Sequence, residues 1–223
     1  MSRKRVAVLI SGRGSNMAAL IEAAKDKKYP AEIVLVASNR ADAAGLETAR
    51  AAGIATEIVD HTTYGKDRGK DRAAFERALQ AVLEKYHIEF VCLAGFMRLL
   101  TAGFVRQWPE CLLNIHPSLL PAFKGLDTHK RAIEAGVKVH GASVHFVVAE
   151  MDSGPIIAQG AVAVHAGDNE AKLAARVLTV EHRIYPLALK LVAEGRVRVV
   201  NGHCLIDGVP VPDAAQLVPA DNP

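Results

Sequence analysis

The sequence predicts an α/β fold: a mostly parallel, doubly wound, Rossmann-like sheet flanked by helices, with mixed or antiparallel strands in its C-terminal half. Two observations carry the first part. Short continuous apolar runs, which read as strands covered on both faces, recur through residues 6–94. Between them lie segments whose apolar residues repeat at helical spacing, and strand alternating with helix makes a parallel sheet. A third observation sets off the second half, where the strand candidates are separated by loops rich in Pro and Gly.

Taken in order, residues 6–10 contain only Val, Ala, Leu and Ile and form the first strand. Met17, Leu20, Ile21 and Ala24 mark the first helix. Residues 33–37 make the second strand and 43–52 the second helix, ending at Gly53. Residues 56–59 make a third strand. Phe75, Ala78, Leu79, Val82 and Leu83 outline a third helix, and residues 90–94 the next strand. In the second half 112–115, 142–148 and 156–164 read as strands, followed by a long helix over 168–194 with a bend expected at Pro186. Residues 197–200 and 204–206 flank Asn201 and Gly202, a hairpin signal. A single domain is expected over residues 1–208, with a Pro-containing tail at 209–223 that should be poorly ordered.

Half of the 223 residues are hydrophobic and 23% are charged, a globular composition able to bury a core. With 27 basic and 24 acidic residues the net charge is only +3, which argues against a nucleic-acid binder and leaves small anionic ligands open. Cys92, Cys111 and Cys204 are widely spaced, without a CxxC pair or Cys/His metal spacing, so neither zinc site nor disulfide framework is expected. The first apolar run is too short for a signal-peptide core and no stretch approaches a membrane span, which makes the cytoplasmic compartment the expectation.

Chemistry is suggested first at Ser11, Gly12, Arg13, Gly14, Ser15 and Asn16, between the first strand and the first helix. A ring of backbone N–H groups at a helix N-terminus suits a phosphate. Gly12 and Gly14 permit close approach, and Ser15 and Asn16 add donors or cap the helix. A dinucleotide fingerprint would need a glycine where Met17 stands and an acid where Ser38 and Asn39 follow the second strand. A Gly-Lys-Ser/Thr ending is also missing. NAD and ATP are thus disfavoured against a single phosphate monoester, with a plain tight turn as the alternative.

The second signal is Asn114 and His116, two apart on a strand and therefore on one face, with Pro117 closing the strand. A carboxamide that can donate to an oxyanion beside an imidazole that can move a proton suits acyl chemistry without a covalent nucleophile. No Ser or Cys stands in a nucleophile elbow. Asp152, ahead of Gly154 and Pro155, is the candidate third partner, whose carboxylate would favour the protonated imidazole. Spacing alone leaves a structural histidine and a turn aspartate open.

Together the stretches VLISGRGSN (8–16), LAGFMR (93–98), LNIHPSLLP (113–121), HGASVHF (140–146) and MDSGP (151–155) closely resemble the phosphoribosylglycinamide formyltransferase family, folate-dependent enzymes of purine synthesis. The resemblance spans residues 6–207 in order and spacing, and NIHPSLLP alone marks the wider formyltransferase superfamily. It implies transfer of a formyl group from 10-formyltetrahydrofolate, as co-substrate, to the amine of phosphoribosylglycinamide, with no metal, ATP or NAD. By resemblance Asn114, His116 and Asp152 are catalytic. Gly14, Ser15, Asn16, Met17 and Ala18 bind the ribonucleotide phosphate, Arg72 reaches that substrate, and Glu181 takes its amine. Met97, Arg98, Leu99 and Leu100, with Asn114, belong to the folate pocket, and residues 148–152 form its other wall. The partners implied are small molecules, not nucleic acid or membrane, for a monomer or homodimer.

Departures from the family are Lys124 and Asp127, where other side chains are common, and residues 66–71, which read as an insertion. His129 keeps its place. The related transferase acting on initiator methionyl-tRNA and the formyl-folate hydrolase each carry an added domain for which 223 residues leave no room. The reading from another class is a non-catalytic phosphate-binding module.

Overall fold

The structure, a computed structural model, describes residues 2–65 and 71–207. Apart from Asp71, the expected insertion lies outside the described residues, as does the expected tail. The elements are β1 (Lys4–Ile10), α1 (Ser15–Ala24), β2 (Ala31–Ser38), α2 (Gly45–Ala51), β3 (Ala55–Ile58), α3 (Arg72–Lys85), β4 (Phe90–Leu93) and α4 (Ala102–Val105). There follow β5 (Leu112–His116), α5 (Thr128–Glu134), β6 (Val139–Phe146), β7 (Ile156–Ala163), α6 (Glu170–Ala193), β8 (Val197–Val200) and β9 (His203–Ile206).

Seven strands form one sheet in the order β3-β2-β1-β4-β5-β6-β7. The pairings from β3 through β5 are parallel, while β5–β6 and β6–β7 are antiparallel. The β8–β9 hairpin stands as a separate two-stranded sheet. This is the predicted mixed architecture, and the strand composition explains it. Val6, Val8 and Ile10 enter one core with Met17, Leu20, Leu46 and Leu189. Ala7 and Leu9 enter the opposite core with Phe75, Leu79, Leu83 and Phe104. A strand buried on both faces has no polar alternation, and each large aliphatic side chain it buries stabilises by about 1.5–3 kcal/mol.

Strand order reverses at β1, whose neighbours β2 and β4 lie on opposite sides. The loops leaving β1 and β4 therefore diverge and open a crevice at the carboxyl edge, where such sheets place ligands. The long helix α6 runs through Pro186 as one element. Tyr29 donates its hydroxyl to the Pro186 carbonyl at 2.7 Å. The short helices α4 and α5 are absent from the sequence reading because four and seven residues are too few to show a period. α4 starts where Thr101 accepts the Phe104 N–H at 3.3 Å. Among the described residues no helix is long and apolar enough to cross a membrane.

Candidate active site

β5 presents Leu112, Asn114 and His116 on the α3-side face of the sheet, beyond the part that α3 and α4 cover with apolar side chains. Register places Asn114 opposite His145 and His116 opposite Ser143. The loop joining β6 to β7 folds back over this face and brings Asp152 to it. Asp152 Oδ2 lies 3.4 Å from His116 Nδ1, and Oδ1 lies 3.8 Å from His145 Nε2. Asp152 reaches His116 directly, and Asn114 joins the group through His145, its Nδ2 lying 3.2 Å from His145 Nε2.

Hydrogen bonds define what each can do. His116 Nε2 lies 3.0 Å from the Phe123 carbonyl. A carbonyl only accepts, so Nε2 carries a proton, and Nδ1 is the nitrogen turned to Asp152. By the same logic His145 Nδ1 donates to the Phe146 carbonyl at 2.8 Å, leaving its Nε2 to accept the Asn114 amide at 3.2 Å. Burial, its largest influence, pulls the His145 pKa below the usual imidazole value, which suits a neutral acceptor. His145 thus aims the Asn114 carboxamide. The sequence reading missed it, although strand alternation puts it on the same face as Ser143. Asp152 itself takes the Gly125 N–H at 2.9 Å.

The glycine loop runs from the end of β1 into α1. Gly14, at φ +72, is the residue before the helix and turns the chain there in the left-handed region. No side chain caps α1. Asn16, which the sequence offered as a cap, instead donates to Glu181 Oε2 at 2.6 Å. Glu181 is only 8% exposed, although its place in a helix reads as a solvated charge. Burial, its largest influence, raises the Glu181 pKa, while the Asn16 amide and then His182 and His116 oppose that rise. Ser15 is exposed, Met17 is buried in the core and Ala18 is half-buried. Met17 therefore supports the loop from within, a role that leaves its backbone rather than its side chain to face a ligand.

The other wall follows β4. Met97 and Leu99 are 69% and 58% exposed, while Arg98 is half-buried and Leu100 packs on the α3-side core. Met151, 51% exposed, lies in the Asp152 loop. Exposed apolar residues in two loops beside the Asn114, His116 and Asp152 cluster suit a flat, partly apolar ligand. Arg72 opens α3 one turn before Phe75, whose ring stacks on Phe96 with centroids 6.5 Å apart. Arg72 is exposed at this end of α3, on the side where Phe75 meets the β4 loop. Lys124, one of the departures, donates to Ser153 Oγ at 2.5 Å and ties its loop to the one carrying Asp152. Asp127, the other, precedes α5 at φ +55. Among the described residues no group of three His, Cys, Asp or Glu could hold a metal ion.

Residues 4–189 match the formyl transferase family. A phosphoribosylglycinamide formyltransferase of Escherichia coli is 46% identical, over 93% of this chain and 95% of that one. The chain belongs to the phosphoribosylglycinamide formyltransferases. It is similar to a solved glycinamide ribonucleotide transformylase of Symbiobacterium toebii, with TM-score 0.87, 46% identity and coverage of 92% and 94%. Over 88% of its length it is also 51% identical to the trifunctional purine biosynthetic protein adenosine-3 of Bos taurus, of which it spans 19%.

Two features of this formyltransferase site give predictions. An alanine Cβ at Gly154 would lie 1.8 Å from the Phe146 carbonyl oxygen, so the loop holding Asp152 must shift. Gly154→Ala should cost about 2 kcal/mol of stability and lower kcat at least roughly tenfold, read by thermal melting and steady-state kinetics. The second feature is His140, 1% exposed, with His129 and Phe123 edge-on to it at 5.3 and 5.8 Å. Burial, then His129, pushes its pKa down to about 4. The unfolded chain, at about 6.5, then binds more protons through that window, so stability is complete above about pH 6.5 and falls as pH drops toward 4. Melting between pH 7 and 5 should show a loss of about 2 kcal/mol, reduced in His140→Phe.

Proposed function

We propose that this protein transfers the formyl group of 10-formyltetrahydrofolate to the amine of phosphoribosylglycinamide. The observation carrying this reading is the gathering of Asn114, His116 and Asp152 on one sheet face, beside a glycine loop whose Asn16 holds the buried Glu181. In this reading the backbone N–H groups from Gly14 to Met17 and the Ser15 hydroxyl hold the phosphate, with Ala18 alongside, its own N–H tied to the Gly14 carbonyl at 2.9 Å, and Glu181 receives the amine. The residues from Met97 to Leu100, with Asn114 and the loop at 148–152, take the folate. Arg72, exposed at the start of α3, approaches the ligands from the α3 side.

The amine nitrogen attacks the formyl carbon and its electron pair moves onto the carbonyl oxygen. Asn114 spends one amide N–H on His145 and offers the other to that oxygen, while His116 donates from Nδ1. Asp152 balances the imidazolium charge. The carbon–nitrogen bond to the folate then breaks as the amine's proton passes to the leaving nitrogen, giving tetrahydrofolate and the formamide. Preorganised donors of this kind are each worth about a hundredfold to a thousandfold.

The test mixes the protein with phosphoribosylglycinamide and a 10-formyl folate and follows the deformylated folate by absorbance. Acceptor-dependent release abolished in His116→Ala is the expected result. Release without acceptor would make the protein a hydrolase, and ligand binding with no release would make it a binding module.

A further inference from the structure

One buried polar chain at the switch point takes no part in the chemistry above. Ser11, the first residue of the glycine loop, donates its hydroxyl to Asn39 Oδ1 at 2.5 Å and accepts the Met97 backbone N–H at 2.8 Å. Its own N–H reaches the Gly95 carbonyl at 3.2 Å. Asn39, just past β2 and 3% exposed, is held in turn by His61, whose Nδ1 donates to the Asn39 backbone carbonyl at 2.9 Å. The hydrogen bonds run from the Met97 N–H to the Ser11 hydroxyl, from that hydroxyl to the Asn39 side-chain oxygen, and from His61 Nδ1 to the Asn39 backbone carbonyl.

Holding the strand ends together does not require this chain. The β1–β4 ladder, whose last pair is Leu9 with Leu93, already does so, and the Ser11 to Gly95 backbone bond extends it. The side-chain bonds go further and tie the root of the glycine loop to Met97, the exposed first residue of the folate wall. A hydroxyl and a carboxamide buried together are costly unless paired, so the arrangement has one low-energy geometry. Displacing either loop breaks the bond to the other.

We propose that Ser11, backed by Asn39, is a positioning residue that couples the two substrate sites: filling one pre-sets the loop of the other. By linkage the coupling must be reciprocal. This inference rests on the reading that residues 14–18 take the ribonucleotide and 97–100 the folate.

The experiment measures binding of phosphoribosylglycinamide with and without tetrahydrofolate, which cannot react with it, and the reverse titration. In the wild-type protein each ligand should tighten the other roughly tenfold, the worth of one well-made buried hydrogen bond. In Ser11→Ala that factor should fall to about one. Both KM values should rise roughly tenfold while kcat changes less than about threefold. Ser11→Thr, which restores a hydroxyl, should recover the coupling. Asn39→Ala leaves the Ser11 hydroxyl in place but unoriented, should lose coupling in part, and serves if Ser11→Ala does not fold.

Two controls separate the inference from its basis. Ser15→Ala should raise only the ribonucleotide KM and Met97→Ala only the folate KM. If both controls behave and Ser11→Ala lowers the melting temperature with coupling intact, Ser11 is merely structural and the inference fails alone. Absence of coupling in the wild type overturns it as well. Silent controls overturn the assignment of the two loops, and the inference with it.

Discussion

Asp152→Asn should lower kcat by about a hundredfold to a thousandfold and leave both KM values within roughly threefold. The substitution keeps the shape of the side chain and an oxygen for the Gly125 N–H, which Asp152 takes at 2.9 Å, so the loop should hold. What disappears is the negative charge 3.4 Å from His116 Nδ1. The other imidazole nitrogen is already committed to the Phe123 carbonyl, so in the proposed reading Nδ1 is the donor to the reacting oxygen. Without the carboxylate the ring has no counter-charge when it carries both protons. Steady-state kinetics with a circular dichroism check would measure this. His116→Ala should lose as much, and the double variant little more, because the two groups act as one unit. Near-normal turnover in Asp152→Asn would leave Asp152 as a loop residue and assign proton handling elsewhere.

Glu181→Gln should raise the ribonucleotide KM by roughly tenfold to a hundredfold, leave the folate KM unchanged, and raise the melting temperature by about 2 °C at neutral pH. In the proposed reading the affinity loss follows from removing the charge that receives the amine, which an amide cannot replace. The stability gain follows from burial. Glu181 is 8% exposed and its pKa is raised, so the folded protein holds this proton more tightly than the unfolded chain does. Stability therefore falls as pH rises through the window above the ordinary carboxylate pKa and stays lowered beyond it. The gain in Glu181→Gln should accordingly be present at pH 7 and vanish at about pH 4, where the native carboxyl is already protonated. An equal gain at both pH values would show that burial of charge is not its source.

Both residues mark where local sequence stops informing. Glu181 sits at a helical position with no local sign that it is inside; packing of α6 against α1 places Asn16 over it. Asp152 follows β6 in a loop whose residues read as an ordinary turn, and only the fold-back of that loop carries it to His116. His145 was within the quoted motif, but its tie to Asn114 depends on the β5–β6 register, which pairs those two residues across 31 positions of chain. The short helices α4 and α5 escaped for a simpler reason, having too few turns to display a period.

The sequence by itself determined the parallel half of the sheet, the glycine turn after β1 and the pairing of Asn114 with His116 on one face. Those features are written in neighbouring residues: an unbroken apolar run demands cover on both sides, glycine supplies a left-handed turn, and side chains two apart on a strand point the same way. Tertiary structure alone decided strand register, the return of the Asp152 loop, the burial of Glu181 and the Ser11–Asn39–Met97 chain. Each joins residues far apart in sequence, and such contacts are selected by which surfaces pack and which buried polar groups find partners, neither of which local spacing encodes.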